Sequence, residues 1–284
     1  MLCHSGDIAS FTADRWSFEE KHDGHRLIVR HHEGTVTLHS RSGRDCTTDY
    51  DVKIISDHNV VLDGEVVSLN EAGEPDFNMI QNKATTHVEY WAFDIVELDG
   101  RDLTRVPYRL RRQILESVVQ LSEGFSVPPL LDASTGREAQ ALTEGREGVV
   151  AKSWDSLYEP GRRSRNWVKS KNWLEDDVFI GGWKYGEGSR AGTIGSILLG
   201  TPTEDGLKFC GRVGTGFTDA ELDKLLDLFL SIQTDESPFA SPVTGHDAKG
   251  AQFVTPTLTA AIQYAALTKD GRMRHPSWRG LRPE

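Results

Sequence analysis

Lys21-His22-Asp23-Gly24-His25-Arg26 is the stretch on which the reading of this chain turns. Lysine, aspartate, glycine and arginine follow the pattern K-x-D-G-x-R, between an alternating run before it (WSFEEKH, 16–22) and a β-rich run after it (GHRLIVRHH, 24–32). That puts a lysine at a strand end, with backbone able to approach it closely at Gly24 because glycine has no Cβ. A lysine attacks as a nucleophile only when its amine loses a proton, and burial and neighbouring cations favour that loss. The same six residues also describe an Asp-Gly turn flanked by surface charges, so the surrounding chain carries the decision.

Outward from this stretch, GHRLIVRHHEGTVTLHS (24–40) reads as two strands around Glu33-Gly34, a hairpin signal. VVLDGEVVSLNEAGEPDF (60–77) has the same form, with a turn expected at Glu71-Ala72-Gly73, and EYWAFDIVEL (89–98) is another strand. RLRRQILESVVQL (109–121) has helical apolar spacing and follows Pro107, a good helix start. Two short apolar runs follow, SVPPLL (126–131) and REGVVAKS (146–153), with a helix expected around Arg137–Thr143 between them. After Trp173 the composition shifts to glycine-rich turns between short strands, then an amphipathic helix in DAELDKLLDLFLSIQ (219–233). Short strands, tight turns and one helix suit a small barrel such as an OB-fold. The acidic Leu174-Glu175-Asp176-Asp177 is the candidate boundary, giving domains 1–173 and 174–284. Tyr185-Gly186-Glu187-Gly188 reads as a barrel hairpin, and His31-His32 as an exposed hairpin turn rather than a metal pair.

At 284 residues the chain has room for two domains, and 37% hydrophobic with 26% charged residues is the balance of a soluble globular protein. No apolar stretch reaches the roughly 20 residues of a membrane helix, and MLCHSGDIASFTADRW lacks the pattern of a secretory signal. Cys3, Cys46 and Cys210 have neither zinc-knuckle nor disulfide spacing, as expected for a reducing cytoplasm. A net charge of −11 argues against nonspecific coating of nucleic acid. Two strips nevertheless carry cations without acids: 160–173, with Arg162, Arg163, Arg165, Lys169 and Lys171, and 271–282, with Arg272, Arg274, Arg279 and Arg282. Both contain tryptophan, which can stack or pack beside cations.

Further charged pieces recur in strand-like surroundings: Ser40-Arg41-Ser42-Gly43-Arg44, Asp63-Gly64-Glu65, Phe93-Asp94, Glu147 to Lys152, and Trp167-Val168-Lys169-Ser170-Lys171, whose two lysines project from one strand face. Half-buried charges on strands need partners, and an anionic nucleotide with its metal is a natural one. In this order the pieces resemble the covalent nucleotidyltransferase superfamily, and in particular ATP-dependent DNA ligases of the compact bacterial ligase C and ligase D type. YEPGRRSRNWVKSKN (158–172) and KDGRMRHPSWRGLR (269–282) look like that subgroup's own signatures, and the resemblance runs from Trp16 to Arg282.

The resemblance implies an α+β protein: an antiparallel-sheet adenylation domain followed by an OB-fold barrel. It implies ATP and Mg²⁺ or Mn²⁺, and duplex DNA with a nick or break as substrate. Lys21 would become lysyl-AMP; Glu19 would read the adenine amino group; Phe93 would stack on the base; Arg26 and Glu65 would hold the ribose and its surroundings. Glu147 would bind the metal, Lys169 and Lys171 would face the α-phosphate, and Arg279 and Arg282 would orient pyrophosphate. Arg41 would hold the 5′-phosphate of the nick, with Arg163 on the DNA side. The subgroup also implies a repair setting, a monomer acting at the nucleoid, and a Ku-type end-binding partner. The family signature usually ends Arg-x-Asp-Lys, whereas Pro283 and Glu284 follow Arg282 here, and His25 takes a place often held by tyrosine. No G-x-x-x-x-G-K-[ST] is present, so ATP would not sit in a P-loop. An RNA ligase, a capping guanylyltransferase or a non-catalytic nucleic-acid-binding descendant would keep many of the same residues.

Overall fold

The alternation around the lysine motif becomes sheet. The computed structural model describes residues 1–70, 73, 75, 79–80, 88–120, 122, 124–268 and 270–283. The chain divides into two units, Met1–Asn172 and Trp173–Glu284. In chain order the principal elements of the first are β1 (Leu2–Ser5), β2 (Trp16–Glu20), β3 (His25–His32), β4 (Thr35–Ser40), β5 (Val60–Val67), β6 (Glu89–Leu98), α1 (Tyr108–Val118), α2 (Gly136–Leu142), β7 (Gly148–Ser153) and β8 (Arg163–Lys171).

These strands form two sheets. One has the order β1-β8-β7-β2 and the other contains β4-β3-β5-β6. All neighbours along these paths are antiparallel except β1 and β8, which run parallel. The motif 21–26 is the crossing between the sheets, from the end of β2 to the start of β3. Gly24 is required at this crossing: a Cβ there would lie 2.2 Å from the Val66 carbonyl oxygen. The β3–β4 hairpin turns at Glu33-Gly34, both with positive φ (48° and 78°), the backbone that a two-residue turn between twisted strands demands. The turn expected at Glu71-Ala72-Gly73 falls on residues 71 and 72, which lie outside the described residues.

Hydrophobic alternation explains which faces close. Leu27, Val29, Leu38, Leu62 and Tyr90 form one core with Leu115 of α1 behind them, and Phe18, Val149, Ala151 and Val168 form a second. Helix α1 starts directly after Pro107, whose missing N–H costs nothing at a helix start. Helix α2 is capped by the preceding Thr135, whose hydroxyl accepts from the Glu138 amide. Of the two apolar runs flanking α2, only 146–153 is mostly strand. In 126–131 strand stops at Ser126, because Pro128 and Pro129 cannot donate to a ladder. The His31-His32 reading needs correction as well. Both residues end β3 rather than form the turn, and His31 is buried with its ring nitrogen on the His58 carbonyl, 3.0 Å away.

The second unit carries β9 (Leu174–Tyr185), β10 (Ile194–Thr203), β11 (Gly206–Val213), α3 (Asp219–Ser231), α4 (Gly245–Ala248), β12 (Ala251–Val254), β13 (Thr259–Tyr264) and β14 (Ser277–Leu281). Its pairing runs β11-β10-β9, after which the long β9 pairs with β13 through its first half and β12 through its second, and β14 joins β13. This is an OB-type arrangement, although among the described residues the ladder does not close into a ring. Helix α3 opens with a capping box, Thr218 and Glu221, and buries Leu222, Leu225 and Phe229 against Ile197, Val213 and Trp278. One expectation shifts here. The glycine-rich segment forms long strands, 12 residues in β9 and 10 in β10, because its glycines permit bends without ending the ladder. The acidic stretch 174–177, the candidate boundary, opens β9 directly and pairs with Ala261–Tyr264.

Candidate active site

Between the two sheets of the first unit lies a cavity of about 340 Å³, bounded by Lys21, Glu65, Phe93, Val150 and Lys169 among others. Lys21 stands at its edge because β2 runs straight into it; the Lys21 amide donates to the Gly148 carbonyl at 2.8 Å and continues the β2–β7 ladder by one bond. Its Nζ donates to Glu147 Oε2 at 2.6 Å, while Lys171 Nζ lies 3.4 Å from the other carboxylate oxygen. One carboxylate thus bridges two lysines, and nucleophilic attack requires Lys21 to leave that pair and shed a proton. Lys169 bounds the same cavity; burial first, and the Lys21 charge second, lower its pKa. Burial outweighs the cations of Lys21 and Arg26 at Glu65 and pushes that carboxyl up to about 8.

Arg26 and its partners are tightly held. Arg26 makes a two-pronged pair with Asp63, Nε–Oδ1 2.8 Å and Nη2–Oδ2 2.5 Å, and donates to the Met1 carbonyl at 2.5 Å. Burial opposes the Arg26 charge, but Asp63 outweighs it and raises the pKa. Asp63 also accepts from the Tyr158 hydroxyl at 2.7 Å, so the costly carboxylate inside the apolar β5 run has its partners. Arg26 sits over the Phe93 and Trp167 rings, 5.5 and 5.8 Å from their centroids. The inner wall is more polar than its neighbourhood suggests. Glu19 is buried and accepts from the Tyr108 hydroxyl at 2.5 Å and from Lys152 Nζ at 2.7 Å. His22, edge-on to Trp91 at 4.4 Å, has its pKa lowered to about 4 by burial and then by Lys21, Arg146 and Lys152.

Arg41 and Arg163 also border the cavity, both exposed residues, with Arg163 donating to the Cys3 carbonyl. Arg279 and Arg282 belong to the second unit. There Arg279 bonds Gln263, and Arg282 pairs with Asp177 at 2.7 Å and Glu175 at 2.8 Å. The basic strip 271–282 is therefore partly neutralised: Arg272 is likewise held by Asp247 and Asp270, each at 3.2 Å. Sequence reasoning missed Tyr108, Lys152, Asp63 as the Arg26 partner, and Tyr158. A fully buried lysine at position 152 was signalled only by its place at the end of an apolar strand run.

The carboxylates fit a hard divalent cation only in part. No group of three His, Cys, Asp or Glu side chains that could hold a metal occurs among the described residues. Glu147, with Glu65 close enough to feel its charge, offers the one or two carboxylates Mg²⁺ takes when phosphate oxygens and water complete its shell.

Sequence profiles match this arrangement. That of the ATP dependent DNA ligase domain matches residues 1–171, and that of the ATP dependent DNA ligase C terminal region matches residues 190–284. The chain belongs to the ATP-dependent DNA ligase family. Over its whole length it is 47% identical to the multifunctional non-homologous end joining protein LigD of Mycolicibacterium smegmatis and 46% identical to that of Mycobacterium tuberculosis. It spans 38% of the length of those relatives. Among solved structures it is similar to the ligase domain of M. tuberculosis LigD, with 45% identity, a TM-score of 0.59, and coverage of 100% of this chain and 94% of that one. A mycobacterial DNA ligase D complexed with ATP and MES matches at 44% identity and a TM-score of 0.60, over 100% and 94% of the two chains. The fold is accordingly a nucleotidyltransferase domain followed by an OB-fold domain. All three cysteines are free, and no helix among the described residues is long and apolar enough to cross a membrane.

Proposed function

We propose that this chain seals 5′-phosphate/3′-hydroxyl breaks in DNA through a lysyl-AMP intermediate, with Lys21 as the nucleophile. The observation that carries the reading is Lys21 Nζ held 2.6 Å from Glu147 at the edge of a cavity that also presents Phe93, Lys169 and Arg41. Lys21 Nζ attacks the α-phosphorus of ATP: a P–N bond forms, the P–O bond to pyrophosphate breaks, and the amine loses its proton. AMP then passes to the 5′-phosphate of the break, the P–N bond breaking as a pyrophosphate link forms. The 3′-hydroxyl attacks that phosphate, a phosphodiester forms, and AMP leaves with the bonding electrons.

On this reading Phe93 supports the adenine by stacking, Glu19 faces its amino group, and Arg26 and Glu65 flank the ribose. Lys169 and Lys171 neutralise charge at the α-phosphate, and Arg41 and Arg163 take the DNA phosphates. Glu147 holds Mg²⁺ or Mn²⁺, which supplies charge neutralisation at the phosphates when bound. Residues 1–173 form the adenylation domain and 174–284 the OB-fold domain, whose Arg279 and Arg282 orient pyrophosphate in the first step. The protein works as a monomer at the nucleoid, in end joining with a Ku-type end-binding partner.

The test is incubation with α-labelled ATP, Mg²⁺ or Mn²⁺ and a duplex carrying one 5′-phosphorylated nick. The expected result is sealing with ATP but not NAD, and a labelled protein band that Lys21→Ala abolishes. An equally labelled Lys21→Ala protein would sink the assignment. Labelled protein without sealing would point to RNA as the substrate or to a required partner, and labelling by GTP in preference to ATP to a capping enzyme.

A further inference from the structure

The residue expected to read the base does not stand alone. Glu19 enters the cavity from β2, but both of its oxygens are engaged from other elements. Oε1 accepts from Tyr108, the first residue of α1, and Oε2 accepts from Lys152, near the end of β7. Tyr108 is fully buried, stacked on Trp154 with centroids 5.9 Å apart, so its hydroxyl has little freedom. Lys152 is fully buried too, and it ties Glu19 to the wall where a base would stack. Its Nζ also donates to the Phe93 carbonyl at 3.1 Å and lies 4.5 Å from the centre of the Phe93 ring. One helical turn after Tyr108, Arg112 donates to the carbonyl of Pro128, another wall residue, at 2.6 Å. Burial opposes the Arg112 charge, yet Glu19, Tyr108 and Glu116 together raise its pKa.

The hydrogen-bond arithmetic is specific. A carboxylate has about four lone-pair sites, and Tyr108 and Lys152 take one on each oxygen of Glu19. What remains can accept only. A 6-amino purine brings a donor to that position; a 6-oxo purine brings an acceptor and sets oxygen against oxygen. Discrimination of this kind is large only when the protein group cannot turn away or offer a proton of its own. We propose that Tyr108 and Lys152 are specificity-positioning residues: they lock Glu19 as an acceptor, so that the pocket takes 6-amino purine nucleotides and rejects 6-oxo ones. This rests on the proposed function, in that Lys21 forms an adduct with a purine nucleotide and Glu19 faces its base.

The experiment compares lysyl-nucleotide formation from ATP and from ITP, which differs at the purine 6-position, in the wild-type chain, Glu19→Gln and Tyr108→Phe. The readout is the ratio of the two efficiencies, which a general loss of folding or chemistry does not move. The wild-type chain prefers ATP. Glu19→Gln, whose amide can donate, loses or inverts the preference. Tyr108→Phe, which deletes one hydroxyl without changing shape, lowers the ATP/ITP ratio about tenfold, as losing one hydrogen bond to a charged group implies. A Tyr108→Phe ratio equal to wild type, with Glu19→Gln still altered, overturns the positioning role alone. An unchanged ratio in Glu19→Gln overturns base reading by Glu19 and this inference with it, while leaving Lys21 chemistry intact. Loss of adduct with both nucleotides in Tyr108→Phe also counts against it, since the defect is then general. No adduct in the wild-type chain overturns the proposed function itself.

Discussion

The two basic strips, 160–173 and 271–282, look alike in sequence and differ in what faces them. Both are rich in arginine or lysine, contain tryptophan and carry no acid of their own. In the first, Arg163 and Lys169 border the cavity, and Lys171 shares Glu147 with the nucleophile candidate. In the second, Arg282 is held by Glu175 and Asp177, and Arg272 by Asp247 and Asp270. The acids that neutralise Arg282 lie 105 and 107 residues away in sequence and arrive through the ladder β14-β13-β9. A strip's own composition counts only local acids, whereas its field depends on the strands paired beside it. Half-exposed pairs like these contribute little to stability, on the order of 0–1 kcal/mol, but they set which cations remain available to an anion.

The largest effect expected from this contrast concerns the cavity behind the first strip, where burial pushes Glu65 up to about 8. An unfolded glutamate titrates at the ordinary 4.5, so stability associated with the protonated carboxyl is fully present below about pH 4.5 and is lost as pH rises to about 8. Glu65→Gln should therefore gain stability relative to wild type between pH 5 and 8, by a ceiling on the order of 4 kcal/mol. Chemical denaturation of both proteins at the two pH values measures it, and a flat difference would mean the cavity is wet.

Next in size is Lys169→Met. Removing one preorganised cation from a phosphoryl-transfer site should slow lysyl-AMP formation about 100-fold. Single-turnover labelling with α-labelled ATP reads this directly; a rate within threefold of wild type would erase the distinction between the strips. The smallest effect is expected at Arg282→Ala, with adduct formation from ATP falling about tenfold, the scale of one charge-assisted hydrogen bond. Joining of a pre-adenylated nick should stay close to wild type, because pyrophosphate is absent from that step. Equal losses in both reactions would show that the second strip serves DNA rather than pyrophosphate.

Much of the fold was legible because its signals are local. The β3–β4 hairpin, β6, the helix after Pro107 and α3 each carry their own periodicity and end signals. The reading failed where structure depends on distant partners. Strand β1, unread in the sequence, exists because Leu2–Ser5 pairs with β8, more than 150 residues on. The sequence alone reads His31 as a turn residue, because its carbonyl partner, at His58, is on another segment. The candidate site divides in the same way. Lys21, Arg26, Glu65, Phe93 and Lys169 stand out as charges or aromatics in strand runs, and they border one cavity.

The sequence by itself determined most of the strands, that the lysine stands at a strand end, and that Gly24 lets other backbone come close, since propensity, alternation and the absence of a Cβ are properties of a few consecutive residues. Only the tertiary structure decided which charges meet. It paired Lys21 with Glu147, Arg26 with Asp63, and Glu19 with Tyr108 and Lys152, because side chains become neighbours through sheet register and helix packing. No spacing along the chain encodes those distances.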